Sequence, residues 1–313
     1  VAPRYEHVVL IVNPVAGGGR GSRVLSAVLP AFSAHGIHPV VHVTANGNEP
    51  RHVARAAAED GADLVVAVGG DGHAAAVAEG LVGSNAVFAV MPAGSADDYA
   101  RTLGMPRRDV PAAVSAILDG PVEAVDVMRV RTSTGERTFL NVIGTGFDAA
   151  VAAAAERITV FRGSGRYVLA ILRVLPRFSA ASLELTIDGV PHRQRAMMIA
   201  IANGPAYGGG MRVAPQASLT SGELEICIVG ETSKVQFMRA FPRVFRGTHV
   251  DHPAVTMLRG REIEIVADNP LEVIGDGERI GRLPATVRVL PAALSVVRSN
   301  GNLRGPRGVG EVD

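Results

Sequence analysis

The stretch Asp63-Leu-Val-Val-Ala-Val-Gly-Gly-Asp-Gly-His73 decides the fold. Five apolar residues, Leu64 to Val68, run directly into Gly69-Gly70-Asp71-Gly72. A short, β-branched, uninterrupted apolar run suits a strand buried on both faces of a parallel sheet. The Ala-rich segment from His73 to Gly80 reads as a helix. A glycine-dense turn carrying one acid therefore sits at the carboxyl end of a central strand, where open α/β sheets place their ligands. Glycines there let main-chain N–H groups approach phosphate oxygens, and the helix start adds partial positive charge.

Working outward, the first third of the chain alternates. Strands are expected at Val8–Val12, Pro39–Thr44 and Val87–Val90, and helices at Ser22–His35 (Ser22 as N-cap), Pro50–Asp60 and Asp109–Leu118. Such alternation predicts parallel β/α layers with right-handed crossovers. Near residue 121 the pattern changes to strand-like segments with hairpin signals: Glu123–Thr132, Arg137–Ile143, Ser182–Ile187, Gln194–Ala202, Glu223–Val229, Glu262–Ala267, Leu271–Ile274 and Ala285–Leu290. Helices are expected between them at Asp148–Ile158, near Arg166–Pro176 and at Lys234–Phe245. The expected organisation is an α/β nucleotide-type domain over 1–121 and a mainly antiparallel β-sandwich over 122–290. Residues 291–299 are expected to return to the first domain, and the Gly/Arg/Pro-rich 300–313 to be a disordered tail.

Bulk properties narrow the function. The chain has 313 residues, 47% of them hydrophobic, with no Trp, so its cores rest on Val, Leu, Ile and Ala. A net charge of +1 supplies no global field for nucleic acid, and none is expected as a partner. The single Cys227 excludes an intramolecular disulfide or a cysteine-rich metal site and fits a reducing, cytoplasmic setting. No signal peptide is visible, and no apolar run approaches the ~18 residues that span a bilayer. Contact with lipid is therefore expected from the aqueous side. The scattered histidines His35, His38, His42 and His52 lack metal-ligand spacing.

Four further glycine turns stand out: Asn13-Pro14 with Gly17-Gly18-Gly19, Gly94-Ser95 with Asp97-Asp98, Asn203-Gly204 with Gly208-Gly209-Gly210, and Gly275-Asp-Gly-Glu278. Three first-domain loops, Asn13–Arg20, Gly69–His73 and Met91–Arg101, follow parallel strands and must converge on one sheet edge. That convergence predicts a phosphate-bearing ligand.

Taken in order, NP-x-x-G at Asn13–Gly17, GGDG at Gly69–Gly72, P-x-G-S-x-x-D at Pro92–Asp98, G-x-G-x-D-A at Gly144–Ala149, the Asn203–Ala217 glycine segment and DGE at Asp276–Glu278 resemble the diacylglycerol kinase catalytic-domain family. This family includes bacterial lipid kinases and sphingosine kinases and is distantly similar to NAD kinases. The resemblance covers roughly residues 5 to 295. It implies ATP bound to the α/β domain at Asn13, Pro14, Gly17, Thr44, Gly69, Gly70, Asp71, Gly72, His73, Gly94, Ser95 and Asp98. It implies Mg²⁺ held in part by Asp71, and a catalytic acid/base at Glu278 with Asp276 and Asp71 as competitors. The implied reaction is transfer of the γ-phosphoryl group to a hydroxyl of diacylglycerol or a related lipid.

The chain departs from the family's usual residues at several places. His73 replaces Thr, Ala75-Ala76 replace Asn-Glu, Ser95 replaces Thr, Asp97 replaces Asn, and Ser221-Gly222 replace the Asp-Gly that helps hold a structural Mg²⁺. These keep two alternatives open: a catalytically weak or inactive nucleotide-binding regulator, and a kinase of a soluble small molecule. The apolar, Arg-bearing segments Arg166–Phe178 and Lys234–Phe245 fit either packed core faces or peripheral contact at the inner face of the membrane. The state of assembly, a homodimer included, is left open by the sequence.

Overall fold

In a computed structural model, residues 4–44, 49–158 and 164–299 are described, and the expected tail 300–313 lies outside them. The first half runs β1 (Val8–Val12), α1 (Ala16–Ser33), β2 (Val40–Val43), α2 (Glu49–Glu59), β3 (Leu64–Gly69), α3 (Asp71–Leu81), β4 (Val87–Pro92), α4 (Asp98–Thr102) and α5 (Val110–Asp119). Then follow β5 (Val122–Thr132), β6 (Gly135–Phe139), β7 (Val142–Gly146), α6 (Phe147–Glu156), α7 (Ser164–Val174), β8 (Ala181–Ile187), β9 (Val190–Ala202), β10 (Leu224–Gly230), α8 (Lys234–Ala240), β11 (Val255–Gly260), β12 (Glu262–Ala267), β13 (Glu272–Gly275), β14 (Glu278–Arg282) and β15 (Ala285–Val297).

Strands β2, β1, β3 and β4 are parallel neighbours in that order. Every residue of β1 and β3 is buried, as their uninterrupted apolar runs require. The helices supply the covering layers: Val28 and Phe32 of α1 and Val114 and Ile117 of α5 are buried in the same core as β1 and β3. Removing such a side chain from water contributes about 1.5–3 kcal/mol each. Asp109 caps α5 by accepting from Ala112 N at 3.0 Å.

The second half is antiparallel. Its core holds Met128, Phe139, Leu185, Ile201, Ile226, Ile263 and Val287. A further apolar layer under α6, α7 and α8 holds Phe147, Val151, Cys227 and Phe237. The fold is thus a parallel α/β unit with a β-sandwich-like unit, as the sequence predicts. Strand β15 joins them: its early residues pair with β12, Val296 pairs in parallel with Phe88 of β4, and β5 runs antiparallel beside it from Thr286 to Val297.

Three local expectations are corrected. The helix expected to start at Ser22 begins earlier, because Gly17, Gly18 and Gly19 wind through left-handed conformations (φ 58, 71 and 89°) into α1. Ser22 lies inside this helix and its hydroxyl donates to Pro14 O at 3.2 Å. The single strand expected over Arg137–Ile143 is two strands, broken where the Asp276 carboxylate accepts from the N–H groups of Leu140, Asn141 and Val142 (2.7, 3.1 and 3.1 Å). Strands β11 and β14 were not expected; β14, Glu-Arg-Ile-Gly-Arg, carries too few apolar residues to register as a strand by pattern.

Candidate functional site

The glycine turns meet. A Cβ on Gly17 would lie 2.4 Å from Ala93 O, and a Cβ on Gly94 would lie 2.5 Å from Gly70 Cα. The loops after β1, β3 and β4 therefore touch main chain to main chain, and only glycine permits such approach. Around Gly18 and Gly19 there is open space. The first main-chain bond of α3 runs from Ala74 N to Gly70 O at 2.9 Å, so the N–H groups of Gly72 and His73 face out of the helix N-terminus. These features make a cradle for phosphate oxygens.

Acids surround the cradle, and their partners differ. Asp97, buried with φ 51°, accepts from Gly94 N at 2.7 Å and pairs with Arg20 at 2.7 Å. Burial pushes its pKa up, and the Arg20 guanidinium opposes that shift. The negative charge that Asp97 brings in place of Asn is therefore met by a cation. Asp98 pairs with Arg101 and accepts from Gly209 N at 2.7 Å, which ties the first unit to the Gly208–Gly210 turn of the second. Asp71 accepts from Tyr99 N at 2.9 Å, and among the described residues no Arg or Lys pairs with it. Burial, with the Asp98 and Asp97 charges adding to it, pushes Asp71 up to about 6. A partly buried carboxylate without a counter-charge among the described residues fits a divalent cation that takes one carboxylate and completes its shell with phosphate oxygens and water. No group of three or more His, Cys, Asp or Glu suited to a metal exists among the described residues.

Glu278 opens β14 and reaches over α3. A Cβ on Gly72 would fall 2.3 Å from Glu278 Oε1. The carboxylate is half exposed, with Arg137 Nη2 at 3.9 Å from Oε2. Arg137 Nε also pairs with Glu79 at 3.0 Å, and Glu79 pairs with Arg51 at 3.3 Å. Arg51, Glu79, Arg137 and Arg20 carry no motif and were missed by sequence reasoning. The one available signal was Glu79, the lone acid in the otherwise apolar run from Ala74 to Leu81.

Several expected site residues are placed differently. Asp276 was expected as a competing base, but both its oxygens accept main-chain N–H bonds, and it fixes the turn that delivers Glu278. Burial nevertheless pushes it up to about 7. His73 was expected to face the nucleotide. Its ring is buried against Gly69, with Nε2 2.9 Å from Ile11 O, so only its main-chain N–H faces the cradle. Thr44 is buried and donates its hydroxyl to Val12 O at 3.2 Å. Asn13 spends Oδ1 on Val15 N at 3.2 Å, while Ser95 is exposed beside Gly94. Pro14 sits between Asn13 and the Gly17 turn. Ala75 and Ala76 are buried, inside the packing of α3. Ser221 donates to Ser218 O and Glu223 O, and the nearby Asp126 is occupied by the N–H groups of Gly222 and Ala292 (2.6 and 2.8 Å).

Asp148 lies in the second unit beneath Gly144. It accepts from Ala149 N at 2.9 Å and from Tyr207 Oη at 3.3 Å, and burial pushes it up to about 7. A separate open depression of about 850 Å³, lined by Arg4, Arg55, Asp63 and Ser84, lies at the opposite, amino ends of β1, β3 and β4. Ligands of open α/β sheets bind at the other edge.

Residues 7–130 match the diacylglycerol kinase catalytic domain, and residues 141–298 match the YegS C-terminal NAD kinase beta sandwich-like domain. A diacylglycerol kinase of Mycobacterium tuberculosis (strain ATCC 25618 / H37Rv) is 31% identical over 293 residues, 93% of this chain and 94% of that one. The chain belongs to the diacylglycerol kinase catalytic-domain family. A diacylglycerol kinase of Bacillus subtilis (strain 168) is 26% identical over 88% of this chain and 90% of that one. The crystal structure of a diacylglycerol kinase from Bacillus anthracis str. Sterne shares the fold with a TM-score of 0.73 at 21% identity, covering 96% of this chain and 99% of that one. In this member of the family, the three glycine turns pack together, and the Asp276–Glu278 turn reaches them at Gly72.

Proposed function

We propose that this protein is an ATP-dependent lipid kinase that phosphorylates a hydroxyl of diacylglycerol or a related lipid. The observation that carries the reading is the contact of Glu278 with Gly72, which puts an acid from the β-sandwich unit at the phosphate cradle of the α/β unit. The glycine turns and the α3 N-terminus would hold the triphosphate, with Asn13 and Ser95 at its edges. Bound Mg²⁺ would neutralise charge on the transferring phosphoryl group, with Asp71 as its protein ligand.

Glu278 acts as general base. It accepts the proton of the acceptor hydroxyl as the new O–P bond forms at the γ-phosphorus. The bond to the β–γ bridging oxygen breaks, and ADP leaves with that electron pair. Arg137, held by Glu79, restrains the Glu278 carboxylate from the opposite side. Such positioning is the main lever in phosphoryl transfer, where the protein does little covalent chemistry.

The test is a transfer assay with γ-labelled ATP, Mg²⁺ and a panel of lipids bearing free hydroxyls, beside glycerol as a soluble acceptor. Labelled phospholipid is expected, reduced about 10²- to 10⁴-fold by Glu278→Gln with ATP binding retained. Undiminished transfer by that variant would remove Glu278 from the mechanism. Stabilisation by ATP without transfer to any acceptor would favour the nucleotide-binding regulator, and label on glycerol alone the soluble-substrate kinase.

A further inference from the structure

Strand β15 changes partners at an irregularity, and one carboxylate sits against it. Leu290 pairs with Val127 and Leu294 with Val125, so three residues, Pro291 to Ala293, stand opposite the single Asp126 of β5. Such a bulge leaves main-chain groups outside the ladder. Ala292 within it has φ 48°, and its N–H donates to Asp126 Oδ1 at 2.8 Å. Asp126 Oδ2 accepts from Gly222 N at 2.6 Å. The main chain of Asp126 is bound as well: its N–H donates to Leu219 O at 2.6 Å, and its carbonyl accepts from Asn203 Nδ2 at 2.8 Å. One residue therefore ties together β5, the Leu219–Gly222 turn, Asn203 and the β15 bulge. Before that bulge β15 pairs with β12 of the sandwich, and after it Val296 meets β4 of the α/β unit. Asp126 thus staples the joint between the two units.

The family resemblance implies a structural Mg²⁺ at this turn, held in part by an Asp where this chain has Ser221. The donors here do not fit that ion, which demands a near-octahedral shell of oxygens. Asp126 is 3% exposed, and each of its oxygens already faces an N–H hydrogen. Ser221 Oγ lies 3.1 Å from Ser218 O and 2.8 Å from Glu223 O, so its hydroxyl hydrogen serves the turn. It also accepts from Glu223 N at 3.3 Å. The neighbouring acid Glu223 is exposed and stands 3.9 Å from Arg261. A dication beside one buried carboxylate would keep an uncompensated positive charge out of water, which is strongly unfavourable. Asp71 differs, because phosphate oxygens of the proposed nucleotide would supply the missing negative charge there.

We propose that the Asp126 carboxylate holds this joint by itself and that the joint takes no divalent cation. Main-chain N–H groups of Gly222 and Ala292 stand where a metal would, and charge-assisted hydrogen bonds of this kind are the strong ones. The fold of the second unit is then independent of Mg²⁺. The inference stands on the staple and not on the lipid-kinase reading. Any requirement of this protein for Mg²⁺ reports the candidate nucleotide site.

The full chain, stripped with EDTA and free of nucleotide, is melted in EDTA and in millimolar Mg²⁺. Asp71→Asn protein is melted beside it, so that the candidate nucleotide site contributes nothing. The melting temperature is expected to be the same in both solutions. A metal present at about a hundred times its Kd would raise it by roughly 5–10 °C. Asp126→Asn is expected to lower it by roughly 5–10 °C, equally with and without Mg²⁺, because an amide accepts through one oxygen only. Ser221→Ala is expected to give a smaller loss, equally indifferent to Mg²⁺. A rise with Mg²⁺ in the Asp71→Asn protein overturns the proposal, as does an Asp126→Asn loss confined to the Mg²⁺ solution. So does an Asp126→Asn protein as stable as the unaltered one, since the staple would then hold nothing. Should Asp126→Asn fail to fold, Mn²⁺ titrated into the Asp71→Asn protein and followed by electron spin resonance decides. Free ions throughout support the proposal, and an ion bound without nucleotide overturns it.

Discussion

Glu278 Oε1 lies so close to Gly72 that a methyl group on that glycine would sit 2.3 Å from it. The two residues are far apart in sequence and come from different structural units. Their contact sets the distance between the proposed base and the helix terminus proposed to hold the phosphates. Gly72→Ala tests it directly. The new methyl displaces only the free end of a half-exposed side chain, so folding stability changes by less than about 0.5 kcal/mol. A shift of the base by about 1 Å costs on the order of 100-fold in kcat. Thermal melting and steady-state kinetics read the two effects separately.

Arg20 and Asp97 form a compensating pair. Arg20→Gln leaves the Asp97 carboxylate buried without its cation and is expected to destabilise the protein by about 1–3 kcal/mol. Asp97→Asn in the same chain removes the charge and restores most of that loss, because the amide oxygen still accepts from Gly94 N. A double-mutant cycle on denaturant unfolding checks this. Additive losses would show that Arg20 acts elsewhere.

His73→Thr is expected to leave nucleotide affinity nearly unchanged and to lower stability by about 1–3 kcal/mol, since the ring fills buried space and binds Ile11 O. Burial lowers the His73 pKa below its usual value. The unfolded state therefore takes up a proton first as pH falls through about 6.5, and the native form loses stability there. The penalty for His73→Thr must then be larger at pH 8 than at pH 5. Melting curves at both values, with calorimetric titration of ATP, give the answer.

Asp148→Asn is expected to stabilise the protein at neutral pH and not in acid. Burial raises the folded pKa to about 7. Between roughly pH 4 and 7 the unfolded carboxyl is ionised while the native one holds its proton, so native stability falls as pH rises. The amide escapes this loss. The gain should be absent near pH 3, grow to about pH 7 and then level off, as urea unfolding at each pH would register.

The architecture was legible where burial is two-sided. Leu64–Val68 and Val8–Val12 read as strands because every position had to be apolar, and the glycine turns after them read as a site because they end parallel strands. The Arg137–Ile143 break was hidden, because it is made by Asp276, remote in sequence. The burial of His73 was equally invisible: its partner is a carbonyl on β1, and residue type alone says nothing of ring direction. Arg20 and Arg137 act through pairs formed across elements, and such pairs leave no spacing in the chain. Asp276 stands out by its turn, yet its hold on three N–H groups joins segments remote in sequence and leaves no pattern in the chain.

Strand β15 belongs to both halves, pairing with β12 at its beginning, meeting β4 at its end and keeping β5 beside it throughout. The polypeptide consequently has no place near residue 121 where a cut would release an intact α/β fragment. Amputation after Leu290 would strip an inner strand from the piece left behind. Anyone seeking the α/β unit by itself must splice residues 291–299 back onto it.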